Sequence, residues 1–223
     1  AEYEKLDHYS QMAADMLLGS PVRKAYDLEN ENPHVRAMYG DHVGGQTLLL
    51  SRRLVEAGVP VVQALCSASD LAGGGGDNWD THKGHFPKMK DRLLPVFDRG
   101  VSALLTDLEM RGMLDETLVL FTSEFGRTPF AQSGRGTVGP GRDHNKGGFS
   151  IWAAGGGFKP GIAYGATDEI GWRASENPVS WHDFHATVMH LLGMNHERLT
   201  FYHNGIERRL TNVHGDPVQG ILA

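Results

Sequence analysis

Two short apolar runs, each preceded by a stretch with helical periodicity, place the strongest constraint on the fold of this chain. Val59–Leu65 follows a helical pattern over Gly44–Ala57, and Thr117–Thr122 follows one over Pro87–Arg111. A third run, Gly148–Ala154, comes later in the chain. Continuous apolar strands that alternate with helices are typical of parallel sheets buried on both faces. The pattern therefore predicts an α/β domain with a mainly parallel sheet.

Other segments also show helical periodicity, and one of them has a recognisable start signal. Ser180, followed three residues later by Asp183, resembles a capping box. Besides the two helices that precede the apolar runs, the sequence predicts helices over residues 2–18, Val22–Leu28, Val35–Tyr39 and Trp181–Leu192. Residues 196–223 show only short extended pieces.

Length, charge and hydropathy exclude several classes of protein. The 223 residues suffice for one large domain or two small ones, and we expect a single domain over residues 1–223. The formal net charge of -6 argues against a nucleic-acid partner, because a phosphate backbone attracts a basic face. No apolar run approaches the ~20 residues of a membrane helix, so we expect no transmembrane segment. The chain begins at Ala1 without a methionine, so we expect a processed or truncated part of a longer protein.

Two glycine-rich segments each bring an aspartate close to a histidine. The first is Trp79-Asp80-Thr81-His82, and the second is Gly141-Arg142-Asp143-His144. Carboxylate oxygens and neutral imidazole nitrogens both suit a divalent transition ion such as zinc. Asp80, His82, Asp143 and His144 are therefore candidate metal ligands. On a parallel sheet, loops at the carboxyl ends of the strands gather at one edge, where we expect the two segments to meet.

A third segment, Ser123–Pro129, follows the clearest predicted strand and lies between the two Asp/His segments in sequence. Glu124 is a candidate metal ligand or general base. Arg127 is a candidate contact for an anionic oxygen, since a guanidinium group binds such groups in a planar, bidentate manner. Arg142, inside the second Asp/His segment, is a further candidate substrate contact.

Each candidate also has a purely structural interpretation. The first Asp/His segment would then be a polar loop with its own hydrogen bonds. Asp143 would cap a turn, and Glu124 would form an ion pair with Arg127 that shapes the turn between them. The histidines of the helix predicted over Trp181–Leu192 are expected to be structural, and Asp183 is expected to cap that helix.

Taken together, these segments resemble the C-terminal half of the sulfatase-like domain-of-unknown-function family numbered 1501, a branch of the alkaline phosphatase-like superfamily. The resemblance covers residues ~40 to ~215, and a set of motifs in a fixed order is more specific than any one of them. The matching segments are Asn78–His82, Leu94–Asp98, Ser123–Pro129, Gly141–His144, Gly165–Glu169 and Ala186-Thr187 with Leu191–Gly193.

The resemblance implies a three-layer α/β/α fold with one or two divalent ions. Carried onto this chain, it makes Asp80, His82, Glu124, Asp143 and His144 candidate ligands and Arg127 a candidate anion contact. From the ligand types we expect zinc as the ion, with calcium, magnesium or manganese as alternatives. In the superfamily, the nucleophile lies in the N-terminal part, on the first strand and the helix after it. This chain shows no such segment before Val59. The cysteine-containing sequence Leu65–Ser69 is not the sulfatase motif Cys-x-Pro-x-Arg.

The leading functional hypothesis is a metal-dependent hydrolase that acts on small phosphate or sulfate esters. One alternative is a scaffold or metal-binding protein that kept the fold and lost the chemistry, as the missing nucleophile suggests. A second alternative is a metal-dependent hydrolase of carboxyl esters, lactones or peptides, since a metal-activated nucleophile does not intrinsically select phosphorus over carbon. Members of the resembled family often carry an export signal upstream, so we expect an exported bacterial protein.

Overall fold

The computed structural model describes residues 7, 8, 10, 11, 14, 15, 20–67, 78–132 and 139–223. The predicted helix over residues 2–18 therefore lies largely outside the described residues. The chain divides into two compact units. The first consists of Ala1–Arg111 with Gly134–Gly141, and the second consists of Gly112–Ser133 with Arg142–Ala223.

The first unit is helical in its described residues. Its helices are α1 (Ser20–Ala25), α2 (Pro33–Tyr39), α3 (Val43–Glu56), α4 (His85–Lys88) and α5 (Leu94–Met110). A 3₁₀ turn over Leu28–Asn30 precedes α2, and a π-helical turn over Met89–Leu93 joins α4 to α5. These bounds agree with the predicted helices to within a few residues at most ends, because caps and turn residues fix them. Asn32 caps α2, for example, and Pro33 occupies its first position.

Helices α3 and α5 pack against each other and provide most of the buried apolar side chains of this unit. Leu48 and Leu49 of α3 and Leu104 and Leu108 of α5 are buried. The helical periodicity of the sequence predicts these positions, since residues three and four apart lie on one face.

A buried ionic network also crosses this helical core. Arg52 and Asp107 are almost completely buried, with relative exposures of 1% and 0%. The Arg52 Nε atom lies 2.7 Å from the Asp107 Oδ2 atom. The Tyr39 hydroxyl donates to the same carboxylate at 3.0 Å, and Arg52 also binds Glu31. Because a buried charge is costly without partners, this network fixes how the helices meet.

The second unit contains short antiparallel ribbons and one helix of several turns. The strands are β1 (Val119–Phe121), β2 (Gly126–Arg127), β3 (His144–Asn145), β4 (Trp152–Ala154), β5 (Ala166–Thr167), β6 (Ala174–Glu176), β7 (Thr200–His203) and β8 (Ile206–Arg209). They pair as β1 with β4, β2 with β3, β5 with β6, and β7 with β8, each pair being antiparallel. Two 3₁₀ turns, Leu114–Glu116 and Gln219–Ile221, complete the unit.

The expected three-layer α/β/α fold with a mainly parallel sheet is wrong. The described strands form only two-stranded antiparallel pairs. The predicted strand Val59–Leu65 joins no ladder within the described residues, and its Val61 and Leu65 side chains are 77% and 60% exposed. Pro60 has no N–H to donate, which disfavours a central strand. An apolar run alone fixes neither strand orientation nor pairing partner.

The run Thr117–Thr122 does contain a strand, but its partner runs in the opposite direction. Strand β1 pairs residue by residue with β4, from Val119 opposite Ala154 to Phe121 opposite Trp152. The rings of Phe121 and Trp152 stack with centroids 5.8 Å apart. Cross-strand aromatic contacts of this kind stabilise an antiparallel pair.

The predicted capping box at Ser180 is confirmed. Helix α6 spans Trp181–Leu191, and the Ser180 Oγ atom accepts from the Asp183 amide at 3.1 Å while Asp183 accepts from the Ser180 amide. The backbone hydrogen bond from Asp216, together with those from Ser180, lowers the pKa of the Asp183 carboxyl below its ordinary value. Asp183 is thus a helix cap.

Among the helices of the described residues, none is long and apolar enough to span a bilayer.

Candidate metal site

The first Asp/His segment has two side chains that anchor it and two that remain accessible. The Trp79 indole donates to the Cys66 carbonyl oxygen at 2.7 Å, and Thr81 is fully buried. Asp80 is exposed and His82 is partly exposed. Because anchored and accessible residues alternate, the segment presents the carboxylate and the imidazole on the side away from the core.

Asp80 and His82 are in direct contact. The His82 Nε2 atom lies 3.0 Å from the Asp80 Oδ1 atom. Two tight backbone hydrogen bonds bring the residues together, from Thr81 N–H to Trp79 and from His82 N–H to Asp80. The structure thus brings together the first predicted ligand pair. His85, three residues further on, is instead joined through Nδ1 to the Thr81 hydroxyl at 2.7 Å.

The chain just before the second Asp/His pair lies against the first segment within the same unit. Gly84 and His85 donate backbone hydrogen bonds to the carbonyl oxygens of Gly139 and Pro140, both at 3.1 Å. A Cβ atom on Gly141 would lie 2.0 Å from the carbonyl carbon of His82. Only glycine fits at this position, because any side chain would collide with the His82 backbone.

In the second unit, the pairing of β2 with β3 sets Arg127 directly opposite His144. The Thr128 amide donates to the Asp143 carbonyl oxygen at 2.8 Å, which extends the ribbon by one residue. Residues directly opposite on paired strands point to the same face. The candidate anion contact and a candidate ligand therefore share one face of the ribbon.

Phe125 adds an aromatic ring to this face. Its ring stacks on the His144 imidazole with centroids 4.0 Å apart and planes 25° apart. The Arg127 Cζ atom lies 5.9 Å from the centroid of the Phe125 ring. Phe125 is not among the site residues predicted from the sequence. Its position two residues before Arg127 on an extended segment was the available signal, since such residues share a face.

Glu124 is exposed, and it forms no ion pair with Arg127 among the described residues. The neighbouring Ser123 hydroxyl donates to the Phe125 carbonyl oxygen at 2.8 Å and shapes the turn instead. The turn therefore does not use the Glu124 carboxylate. Its predicted role as a base or ligand stays a prediction.

The two predicted arginine contacts differ in what they bind. Arg142 donates to the backbone carbonyl oxygens of Thr128 and Pro129, so its guanidinium group closes the turn after β2. Arg127 donates through Nη1 to the Arg142 carbonyl oxygen at 3.3 Å. The substrate-binding role predicted for both residues stays a prediction, and the geometry adds a structural role for Arg142.

Asp80, His82 and His144 each offer a ligand atom that could hold a metal ion. One carboxylate oxygen and two imidazole nitrogens form a donor set that suits zinc and similar divalent ions. Asp143, the fourth predicted ligand, is not in this set. Its Oδ1 atom accepts from the His144 amide at 2.8 Å. That bond fits its alternative interpretation as a turn residue.

Comparisons with known proteins give a family but no characterised relative. No curated protein and no solved structure matches the chain. A family match covers almost the whole length, from residue 1 to residue 222, and the family is described as a protein of unknown function, DUF1501. The chain therefore belongs to the DUF1501 family.

Proposed function

We propose that this chain forms the metal site of a hydrolase that acts on small phosphate or sulfate esters. Asp80, His82 and His144 hold one divalent ion in this proposal, with zinc as the first candidate. Arg127 binds the anionic ester group, and Glu124 accepts a proton from the attacking water. The motif-level resemblance to sulfatase-like proteins favours phosphate and sulfate over other esters.

The observation that carries the proposal is the packing of Gly141 on the backbone of His82. Within the first unit, this contact holds Gly141 against the first Asp/His segment. His144 is three residues beyond Gly141, and three extended residues span at most about 10 Å. The covalent chain thus keeps His144 within about 10 Å of Gly141.

The chemistry that a divalent ion supplies here is Lewis-acid polarisation of the ester oxygen and acidification of water toward a pKa of ~7. The residues of the chain account for the remaining tasks. Asp80 and His82 are already oriented by their mutual contact at 3.0 Å. Arg127, opposite His144, presents positive charge on the same ribbon face. Positive charge fixed beside the reacting group stabilises the negative charge that develops on the ester oxygens.

A scaffold protein without catalysis is the second candidate, and one observation favours it. The His82 Nε2 atom and the Asp80 carboxylate contact each other directly, without any ion. In that case the two residues hold the loop, and Arg127 stabilises the ribbon through its bond to the Arg142 carbonyl oxygen.

A panel of substrates and metals tests the proposal. The purified protein is assayed with chromogenic phosphate, sulfate and carboxyl esters in the presence of Zn²⁺, Mn²⁺, Mg²⁺ or Ca²⁺, with and without a chelator. We expect metal-dependent cleavage of a phosphate or sulfate ester, abolished in His82→Ala. The variant His190→Ala, at an exposed histidine of α6, is the matched control. Cleavage of carboxyl esters alone would support the carbon-ester alternative. Absence of metal binding and of cleavage would support the scaffold.

A further inference from the structure

The His144 imidazole needs a contact that fixes its orientation. His144 is exposed, and β3 holds its backbone but leaves its two side-chain torsions to be set by neighbours. An imidazole nitrogen binds an ion in the plane of the ring. The direction of that plane therefore decides whether the nitrogen can share an ion with other ligands.

Within the second unit, the ring of Phe125 lies against the His144 imidazole. The two rings are stacked, with centroids 4.0 Å apart and an angle of 25° between their planes. A rotation of the imidazole about its side-chain torsions would break this stack. The backbone of Phe125 is itself held, because its carbonyl oxygen accepts from the Ser123 hydroxyl and the next residue, Gly126, begins β2.

Gly126 makes the position of Phe125 more rigid. A Cβ atom at Gly126 would lie 2.6 Å from the Phe149 Cβ atom and 3.0 Å from the Gly148 carbonyl oxygen. The backbone beside Phe125 is therefore packed closely against the following segment of the same unit. A side chain carried by tightly packed backbone is a suitable support for a ligand on the adjacent strand.

The same ring also contacts the candidate anion-binding residue. The guanidinium carbon of Arg127 lies 5.9 Å from the Phe125 centroid, within the range of a cation–π contact. One aromatic ring thus touches both the ligand and the cation that lie opposite each other on β2 and β3.

We propose that Phe125 is a positioning residue that orients His144 toward the metal ion and holds Arg127 beside it. This inference rests on the function proposed above. It assigns Phe125 no contact with the substrate, and its effect passes through the two side chains that it touches.

The test compares Phe125→Leu with Phe125→Tyr. Leucine keeps apolar volume but loses the stack, whereas tyrosine keeps the ring. We expect the Zn²⁺ affinity of Phe125→Leu, measured by titration calorimetry, to fall about tenfold, the lower end of the effect for groups that orient metal-bound histidines. Phe125→Tyr should restore the wild-type affinity. Phe130→Leu is the matched control, because Phe130 is an exposed ring of the same segment that contacts Trp172 instead.

A second measurement separates this inference from the proposed function. In wild type, the ring current of Phe125 should shift the NMR resonance of the His144 ring proton, and Phe125→Leu should remove that shift. A wild type that binds no Zn²⁺ overturns the proposed function and the metal role of Phe125 together. A wild type that binds Zn²⁺ while a folded Phe125→Leu variant binds it equally well overturns the positioning role alone.

Discussion

Gly141 packs so closely on His82 that a Cβ atom at position 141 would lie 2.0 Å from the His82 carbonyl carbon and carbonyl oxygen. Gly141→Ala therefore has to displace the backbone of a candidate ligand. We expect this variant to lose about tenfold or more in Zn²⁺ affinity, because ligands tolerate little misplacement. Calorimetric titration of Zn²⁺ measures the effect.

Pro140→Ala is the matched control for the glycine substitution. It keeps the carbonyl oxygen that accepts from the His85 amide, and it places no new atom on His82. Equal affinities for wild type, Pro140→Ala and Gly141→Ala would show that this close approach does not position a ligand.

Breaking the buried Arg52–Asp107 ion pair should strongly lower the free energy of unfolding. Arg52→Met leaves the fully buried Asp107 carboxylate with only Tyr39 and Arg111 as partners. Removing one member of a buried ion pair costs about 3–5 kcal/mol in the free energy of unfolding. Urea denaturation followed by circular dichroism measures this cost. In contrast, Arg209→Met removes a more exposed pair with Glu197 and should cost under about 1 kcal/mol.

The pKa of Glu31 predicts how acid changes the stability of the helical unit. Burial favours the neutral carboxyl, but hydrogen bonds from Arg52 and Arg53 outweigh it and lower the pKa of Glu31 to about 2 from 4.5. The folded-state pKa is thus below the unfolded one, so ionised Glu31 stabilises the fold above pH 4.5. This contribution is lost as the pH falls from about 4.5 toward 2.

The variant Glu31→Gln checks this sign. It should be less stable than wild type at pH 7, and the difference should shrink as the pH falls through that window. Denaturant midpoints at several pH values give the comparison. Glu29→Gln, at an exposed glutamate of the 3₁₀ turn that Glu31 follows, serves as the control. A constant difference between Glu31→Gln and wild type down to pH 2 would contradict the account.

Arg127 and Arg142 should give different phenotypes. Arg127→Ala removes positive charge beside His144, so we expect the KM for an anionic ester to rise about tenfold, while the fold is retained. Arg142→Ala removes the group that binds the Thr128 and Pro129 carbonyl oxygens, so we expect a loss of thermal stability instead. Steady-state kinetics and thermal melts distinguish the two. Identical phenotypes would contradict the division of roles.

The sequence predicted local features better than long-range ones. The capping box at Ser180 and the limits of α3 follow from caps and periodicity, which depend on neighbouring residues. The expected parallel sheet failed because strand orientation depends on distant partners. Val119–Phe121, for example, pairs antiparallel with Trp152–Ala154. Nothing in an apolar run specifies that choice.

The candidate site was predicted in part. The residue types and the glycine at position 141 were visible in the sequence, and the structure gives Asp80 and His82 their contact. The expected route, loops meeting at the edge of a parallel sheet, was wrong. Arg127 and His144 instead meet through the β2–β3 ribbon. The contact of Phe125 with the site was not predicted, because an aromatic residue after a strand more often packs in the hydrophobic core.

A double-mutant cycle tests whether Asp80, His82 and His144 share one divalent ion. Zn²⁺ affinity and stoichiometry are measured by calorimetry for wild type, His82→Ala, His144→Ala and the double variant. We expect one ion per chain, a large loss of affinity in each single variant, and little further loss in the double variant. Two ions per chain, each lost independently with one histidine, or no binding by wild type, would contradict it.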